Sequence, residues 1–248
     1  MMPKQGEIDY ARHIGAAAMH GAYEKPFSED ECGAALMEIG AMMYLLPPPS
    51  ARLLDLGCGT GWTSCFFARR GYDVVGQDIC DDMIEYARRN KARYQVENAD
   101  FVCCDYEGMG FEEEFDCAVF YDSLHHSVSE EDALRCVYRA LKPGGICVTS
   151  EPGRGHAHRP ASIHAMQEYN VTERDMPPGR IIRAARKAGF RHWQVYPHMK
   201  PISACLFGVS ERSFFHKLRW LPSFLRVLPL MFLTTAYKHM SGIVVLTK

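Results

Sequence analysis

The architecture of this chain follows from the stretch Leu53-Leu-Asp-Leu-Gly-Cys-Gly-Thr-Gly-Trp62. It begins with an apolar run that stops at a glycine, which is typical of a strand buried in a parallel sheet. The glycine-rich turn that follows can adopt positive φ angles and let a ligand approach the backbone closely. Residues 61–70 have the composition of a helix, and the first N–H groups of such a helix favour a carboxylate or a phosphate. The order of strand, turn and helix predicts a ligand site at the glycines.

Short apolar runs and helical segments alternate on the C-terminal side of this turn. Strands are predicted over 72–78, 99–104, 115–121, 146–150, 190–196 and 243–247, and helices over 81–92, 130–140 and 173–188. This alternation predicts a doubly wound parallel α/β sheet. On the N-terminal side, Ser28 and Glu31 have the spacing of a capping box, which predicts a helix that ends before Pro47.

These elements predict a single domain over 1–248 with three parts. A helical N-terminal lid is expected over 1–50, a cofactor-binding core over 51–150 and a substrate-side half over 151–248. The last part contains an apolar insertion over 207–240, interrupted by Pro222 and Pro229 and too broken to span a bilayer. It is either an ordinary helical lid or a roof for an apolar or lipid-linked acceptor. Peripheral contact with a membrane and a dimer interface are also left open.

Composition and charge limit the function classes. A chain of 248 residues with 47% hydrophobic and 23% charged residues is an ordinary globular protein rather than a disordered one. The net charge of −2 lacks the basic excess of nucleic-acid binders, so no nucleic-acid partner is expected. The ten cysteines form no CxxC pair, and no Cys/His spacing suits zinc. Without an apolar signal segment, we expect a reduced, cytoplasmic protein.

Two kinds of cofactor compete for the glycine turn. Asp78 follows the second strand, where a carboxylate can accept hydrogen bonds from a ribose diol. The glycines follow the pattern Gly57-x-Gly59-x-Gly61 rather than the G-x-G-x-x-G pattern of dinucleotide sites. Asp55, two residues ahead of the first glycine, suits a cofactor that carries an ammonium and a sulfonium and repels a pyrophosphate. An oxidoreductase that uses NAD remains the alternative, and Asp55 could instead cap the turn.

Five motifs in order resemble those of the class I S-adenosylmethionine-dependent methyltransferases. They are Asp55-x-Gly57-x-Gly59-x-Gly61, Asp78 with Asp82-Met83, Cys104-Asp105-Tyr106, Phe115-Asp116 through Asp122-Ser-Leu-His-His126, and Leu141-Lys-Pro-Gly-Gly145. More narrowly, the segments 121–126 and 149–156 resemble a bacterial small-molecule subgroup with links to sugar or glycoconjugate pathways. The resemblance implies a Rossmann-like seven-stranded sheet whose last strand is antiparallel.

The resemblance also implies which residues bind the cofactor. The glycines, with Cys58 and Trp62 beside them, would approach the methionine part, and Asp78 would hold the ribose. Ile79 and Met83 would flank the adenine, and Asp105 would accept from its amino group with the backbone of Tyr106 nearby. Tyr121 would meet the amino end. The full cofactor set is Asp55, Gly57, Cys58, Gly59, Gly61, Trp62, Asp78, Ile79, Met83, Asp105, Tyr106 and Tyr121.

The implied reaction is methyl transfer to an O, N or C nucleophile of a small molecule. His125 follows the fourth strand and is a candidate general base, whereas His126 is assigned a structural role more readily. Glu151 is placed at the rim of the same pocket as a third catalytic candidate. The candidates for acceptor binding are Tyr10, His13, Tyr23 and His156, and no metal is expected. A non-catalytic cofactor-binding partner subunit is the alternative from another class.

Overall fold

A computed structural model describes residues 3–13, 15–207, 222, 225 and 241–248. Its seven strands are β1 (Arg52–Leu56), β2 (Asp73–Asp78), β3 (Ala99–Cys103), β4 (Phe115–Tyr121), β5 (Leu141–Glu151), β6 (His192–Tyr196) and β7 (Gly242–Thr247). They form one sheet in the order β3-β2-β1-β4-β5-β7-β6. β1 pairs in parallel with β2 and β4, whereas β7 lies antiparallel between β5 and β6. The doubly wound sheet with an antiparallel last strand is confirmed.

Nine helices precede, connect or flank these strands in the described part of the chain. They are α1 (Pro3–His13), α2 (Gly15–Tyr23), α3 (Cys32–Leu45), α4 (Trp62–Arg70), α5 (Asp81–Tyr94), α6 (Glu130–Ala140), α7 (Pro160–Tyr169), α8 (Pro178–Ala188) and α9 (Met199–Phe207). Short 3₁₀ turns follow β4 at Leu124–His126 and β5 at His156–His158. None of the described helices has the length and apolar character needed to cross a bilayer.

Alternating side chains of the strands build one apolar core on each face of the sheet. Leu53 and Val74 face α3, α4 and α5, whereas Leu54 and Val75 face α6 and α8. The chain runs outward from β1 through β2 to β3 and then returns to β4, which pairs with the other side of β1. The carboxyl ends of β1 and β4 therefore flank a topological switch point, where α/β sheets bind ligands.

Two helices begin at residues other than those expected from the sequence, and one predicted segment is largely not described. The helix predicted over 173–188 begins only at Pro178, because 170–177 is an extended segment. Ser28 does not cap α3, because this helix begins at Cys32 with no side-chain cap. The hydroxyl of Ser28 donates to the carbonyl of Gly21 instead. The apolar insertion over 207–240 lies almost wholly outside the described residues.

Candidate active site

A cavity of about 300 Å³ opens at the carboxyl ends of β1, β2 and β4. It is lined by twelve of the predicted site residues: Tyr10, Gly57, Cys58, Gly59, Trp62, Asp78, Ile79, Met83, Asp105, Tyr106, Tyr121 and His126. Residues far apart in the sequence meet here because parallel strands carry their following loops to one edge of the sheet.

The three glycines of the turn differ in what a side chain at each position would meet. All adopt left-handed φ angles, which L side chains rarely tolerate. A Cβ at Gly57 would lie 2.6 Å from Cβ of Ser123, and one at Gly61 would lie 2.7 Å from Cβ of Ala87. A Cβ at Gly59 would meet no protein atom within 4 Å. Gly59 thus leaves open space at the cavity, while Gly61 permits close packing and does not line the cavity.

Asp78 presents a buried carboxylate to the cavity. Its Oδ2 accepts a hydrogen bond from the N–H of Gly59 at 2.8 Å, and its Oδ1 accepts from the N–H of Cys80 at 2.9 Å. Burial raises the pKa of Asp78, and these amides together with the charge of His126 offset only part of that rise. Each oxygen has a second lone pair, so the carboxylate can still accept both hydroxyls of a ribose.

Asp55 does not line the cavity, so the structure does not bring it to the place where a direct cofactor contact was predicted. Its Oδ2 accepts from the hydroxyls of Thr63 at 2.7 Å and Ser64 at 2.6 Å, under the glycine turn. Burial raises the pKa of Asp55 to about 6; the two hydroxyls counter the rise, and the nearby charge of Asp78 adds to it. The alternative in which Asp55 supports the turn fits this geometry.

The N-terminal helices close one side of the cavity. Lys4 donates to Oδ2 of Asp105 at 2.6 Å and to Oε2 of Glu107 at 2.7 Å. The hydroxyl of Thr60, in the glycine turn, donates to the carbonyl of Ala22 at 2.8 Å. The carboxylate predicted to bind an adenine amino group is thus paired with an ammonium from α1.

His126, rather than His125, faces the cavity. Its Nδ1 donates to the carbonyl of Thr172 at 2.9 Å and lies 3.4 Å from Oε2 of Glu7. Burial disfavours the protonated ring, but the hydrogen bond and charge of Glu7, with the charge of Glu173, outweigh it and raise the pKa of His126 to about 9. The structure therefore places at the cavity the histidine that was expected to have the structural role.

Glu151 and His125 instead form a buried support beneath the turn after β4. Oε1 of Glu151 accepts from the N–H groups of Ser123 at 3.1 Å and Leu124 at 2.8 Å. Its Oε2 accepts from the N–H of His125 at 3.2 Å and lies 2.8 Å from Nδ1 of that ring. His125 is 2% exposed and Glu151 1%. Neither lines the cavity, so the structure does not bring either residue to the place where a direct catalytic contact was predicted.

Three residues predicted to bind the acceptor also lie away from the cavity. His13 is exposed on α1, where its Nδ1 bonds the carbonyl of Asp9. Tyr23 packs against Tyr86 at 5.7 Å between ring centroids. His156 bonds Oε2 of Glu173 at 2.6 Å through its Nε2.

Several residues that line the cavity were not among the predicted site residues. They include Lys4, Glu7, Thr60, Gln77, Asp122, Ser123, Ser127 and Val128. Asp122 has a φ of 53°, an uncommon angle for a residue other than glycine, and it directly follows β4. Its position after a predicted strand was the available signal. Glu7 offered none, because its place depends on how α1 packs across the sheet.

Comparison with known proteins agrees with this geometry. Residues 54–149 match the family model described as a methyltransferase domain. The chain is 32% identical over 57% of its length to the S-adenosyl-L-methionine-dependent Diels-Alderase iccD of Talaromyces variabilis, covering 51% of that protein. It is also 32% identical to the demethylmenaquinone methyltransferase of Clavibacter sepedonicus, over 47% of this chain and 49% of that one. Over this segment the chain is therefore similar to the family of S-adenosylmethionine-dependent methyltransferases.

The solved structures support the same fold. Magnesium protoporphyrin IX methyltransferase from Synechocystis, with bound cofactor, superposes with a TM-score of 0.63 at 14% identity, covering 100% of this chain and 98% of that one. The chain spans about half the length of the curated relatives that it matches. These relatives come from fungi and bacteria, so they do not single out the predicted bacterial subgroup.

The residues present fit S-adenosylmethionine, the cofactor of this family. Asp78 retains acceptor capacity for the ribose, and Gly59 leaves room beside it. Ile79 and Met83 offer apolar walls, and the cavity extends from them to the turn after β4. Adenine, ribose and methionine would therefore have room along this edge of the sheet.

Proposed function

We propose that this protein transfers the methyl group of S-adenosylmethionine to a nucleophile of a small molecule that enters beside His126. The supporting observation is the single cavity that joins the ribose-type carboxylate of Asp78 to the turn at 122–128. The bound cofactor supplies an activated methyl group on its sulfonium. The chain aligns the two reactants, and such positioning can supply much of the rate enhancement.

Four parts of the chain have distinct tasks in this proposal. Asp78 and the glycine turn orient the cofactor, and the lid at α1 limits the access of water. His126 lies against the acceptor, since it is the one of the three predicted catalytic residues that lines the cavity. Glu151 and His125 are positioning residues, because they hold the turn that carries His126.

The nucleophile is an oxygen, nitrogen or carbon atom of a sugar, a secondary metabolite or a lipid-linked acceptor. A relative named as a demethylmenaquinone methyltransferase supports the lipid-linked class. A hydroxyl acceptor would also need a base, and the carboxylates of Glu7 and Asp122 lie in the cavity wall. The new bond forms at the methyl carbon as its bond to sulfur breaks, leaving S-adenosylhomocysteine.

The test uses purified protein, methyl-labelled S-adenosylmethionine and an extract of the source organism. We expect label in an extracted small molecule, with a rate that falls at least tenfold in His126→Gln and is unchanged in His13→Gln. Label in the organic phase would identify an apolar or lipid-linked acceptor, and label in the aqueous phase a polar one. Cofactor binding with no transfer in any fraction would contradict the proposal and favour the non-catalytic partner subunit.

A further inference from the structure

Three histidines and a glutamate from separate parts of the chain meet beyond the turn after β4. The ring centroids of His125 and His126 are 4.0 Å apart, and those of His125 and His156 are 4.9 Å apart. Nε2 of His125 lies 3.8 Å from Oε2 of Glu173. His125, His126 and Glu173 each contribute one possible ligand atom, and these three atoms lie within 4.8 Å of one another.

Both neighbouring imidazoles are oriented as metal ligands are. The Nδ1 atom of His125 bonds a carboxylate oxygen of Glu151, and that of His126 bonds the carbonyl of Thr172. Each ring therefore has its Nε2 atom to offer. A histidine that ligates a metal almost always gives its other nitrogen to a carboxylate or a backbone carbonyl, which fixes the ring and its tautomer.

The charge around these rings favours a cation. Four carboxylates surround them, from Glu7, Asp122, Glu151 and Glu173, and each lies within 4.0 Å of a histidine nitrogen. Within the described ranges, no lysine or arginine forms an ion pair with any of the four. Buried charges are generally paired or bound to metals. Glu7, Glu151 and Glu173 are largely buried, whereas Asp122 is exposed, and one protonated histidine would balance only one of the buried charges.

We propose that His125, His126 and Glu173 bind a divalent transition-metal ion, with Zn²⁺ as the probe that fits them best. Zinc takes imidazole nitrogen and carboxylate oxygen at about 2.0–2.2 Å, which places tetrahedral ligand atoms roughly 3.3–3.5 Å apart. The separation of 3.8 Å between Nε2 of His125 and Oε2 of Glu173 needs a contraction of a few tenths of an ångström. The three ligand atoms lie within 4.8 Å of one another, so a bound ion would draw the widest pair together by up to about 1.5 Å. Mg²⁺ and Ca²⁺ prefer sites made of oxygen alone.

A metal held by three protein ligands keeps a position for a further ligand. His126 lines the cavity, so that position would be available to an oxygen atom of the methyl acceptor. This deepens the proposed function by naming the acceptor class, a compound with a hydroxyl or carboxylate group. A hydroxyl would lose its proton to solvent or a nearby carboxylate, its oxygen would bond the methyl carbon, and the carbon–sulfur bond would break.

The experiment measures metal binding to the full chain without cofactor or acceptor, so its outcome is separate from that of the methyl-transfer test. Metal-free protein is titrated with Zn²⁺ against a chromophoric chelator. We expect one strong site, with affinity lowered about 100-fold or more in His126→Gln and in Glu173→Gln. Matched controls are His13→Gln, on the surface of α1, and Asp81→Asn/Asp82→Asn, at the other described group that could hold an ion. The controls should leave the affinity unchanged.

Cobalt substitution separates this site from chance binding to cysteine. Co²⁺ at the proposed ligands should give visible bands without a sulfur-to-metal charge-transfer band, and Glu173→Gln should abolish those bands. The proposal is overturned if the wild type takes up no zinc, or if the two variants bind it as tightly as the wild type. It is equally overturned if Glu173→Gln weakens binding of S-adenosylmethionine but not of zinc, since the carboxylates would then serve the sulfonium.

Discussion

At Asp78, a buried carboxylate faces the cavity while it accepts hydrogen bonds from two backbone amides. Ribose hydroxyls donate well only to the ionised form, and the pKa of Asp78 is raised chiefly by burial. The affinity for S-adenosylhomocysteine should therefore weaken as the pH falls through this raised value. Asp78→Asn should bind about 10- to 100-fold more weakly, because hydrogen bonds to a charged group are lost, and should lack that pH dependence.

Titration calorimetry at several pH values checks this prediction. Asp100→Asn is the matched control, because Asp100 is an exposed carboxylate on β3 away from the cavity. A wild-type affinity that stays constant on acidification, or that equals the affinity of Asp78→Asn, would argue against the assigned ribose contact.

The raised pKa of Asp55 should make the free energy of unfolding depend on pH. Its pKa of about 6 in the folded protein lies above the ordinary value of 3.8, so the folded state holds this proton more tightly than the unfolded chain. The resulting stabilisation is fully present below pH about 4 and is lost as the pH rises through 6. The free energy of unfolding of the wild type relative to Asp55→Asn should fall by about 3 kcal/mol over that range. Urea unfolding of both proteins at pH 4, 5, 6 and 7 measures it, and a constant difference would contradict the buried state of Asp55.

Which histidine of the pair His125 and His126 reaches the cavity could not be predicted from the sequence. The sequence correctly indicated that the segment after β4 borders the site, since ligand-binding loops follow parallel strands. It expected His125 at the cavity, whereas the 3₁₀ turn over Leu124–His126 places His126 there. Neighbouring side chains in such a turn point about 120° apart. Which ring reaches the cavity then depends on Glu7 and Thr172, contacts that no local pattern reveals.

Among the elements, the junction of β4 and β5 depends most on one side chain. Glu151, at the end of β5, accepts from three successive N–H groups that start the turn after β4. These amides lie at the start of the 3₁₀ turn, where N–H groups have no carbonyl partner within the helix. Glu151→Ala should lower the free energy of unfolding by about 3 kcal/mol or more, because buried donors would be left unpaired.

Denaturant unfolding measures this effect, and Glu168→Ala on the exposed side of α7 is the control. That surface substitution should change stability by less than about 0.5 kcal/mol. Equal stabilities of the two variants would contradict the supporting role of Glu151.

Element boundaries separate what local sequence determines from what packing determines. The strands were predictable because buried parallel strands are short continuous apolar runs. The start of α8 was placed five residues too early, although Pro178 stands at its first position, where proline is favoured. Residues 173–175 were assigned to that helix, although their side chains bond other segments. Such long-range contacts override helix propensity.

At the scale of the whole molecule, the N-terminal segment borders the cavity and contacts both the loop after β3 and the start of α5. Lys4 pairs with Asp105 and Glu107, and Arg12 pairs with Asp81 and Asp82. Lys4→Met should loosen this closure and raise the rate of S-adenosylhomocysteine dissociation. We expect a change of about two- to fivefold, because partly exposed ion pairs contribute little individually. Stopped-flow displacement measures it, with Arg70→Met at the end of α4 as control; equal rates would show that α1 does not retain the cofactor.

A crystal structure with S-adenosylhomocysteine tests the central assignment most directly. The account predicts the ligand in the cavity at the ends of β1, β2 and β4, with ribose hydroxyl oxygens roughly 2.5–3.0 Å from the Asp78 carboxylate. The adenine should lie between Ile79 and Met83, and the sulfur should point toward Asp122 and His126. A ligand bound elsewhere, or one whose ribose does not contact Asp78, would contradict the account.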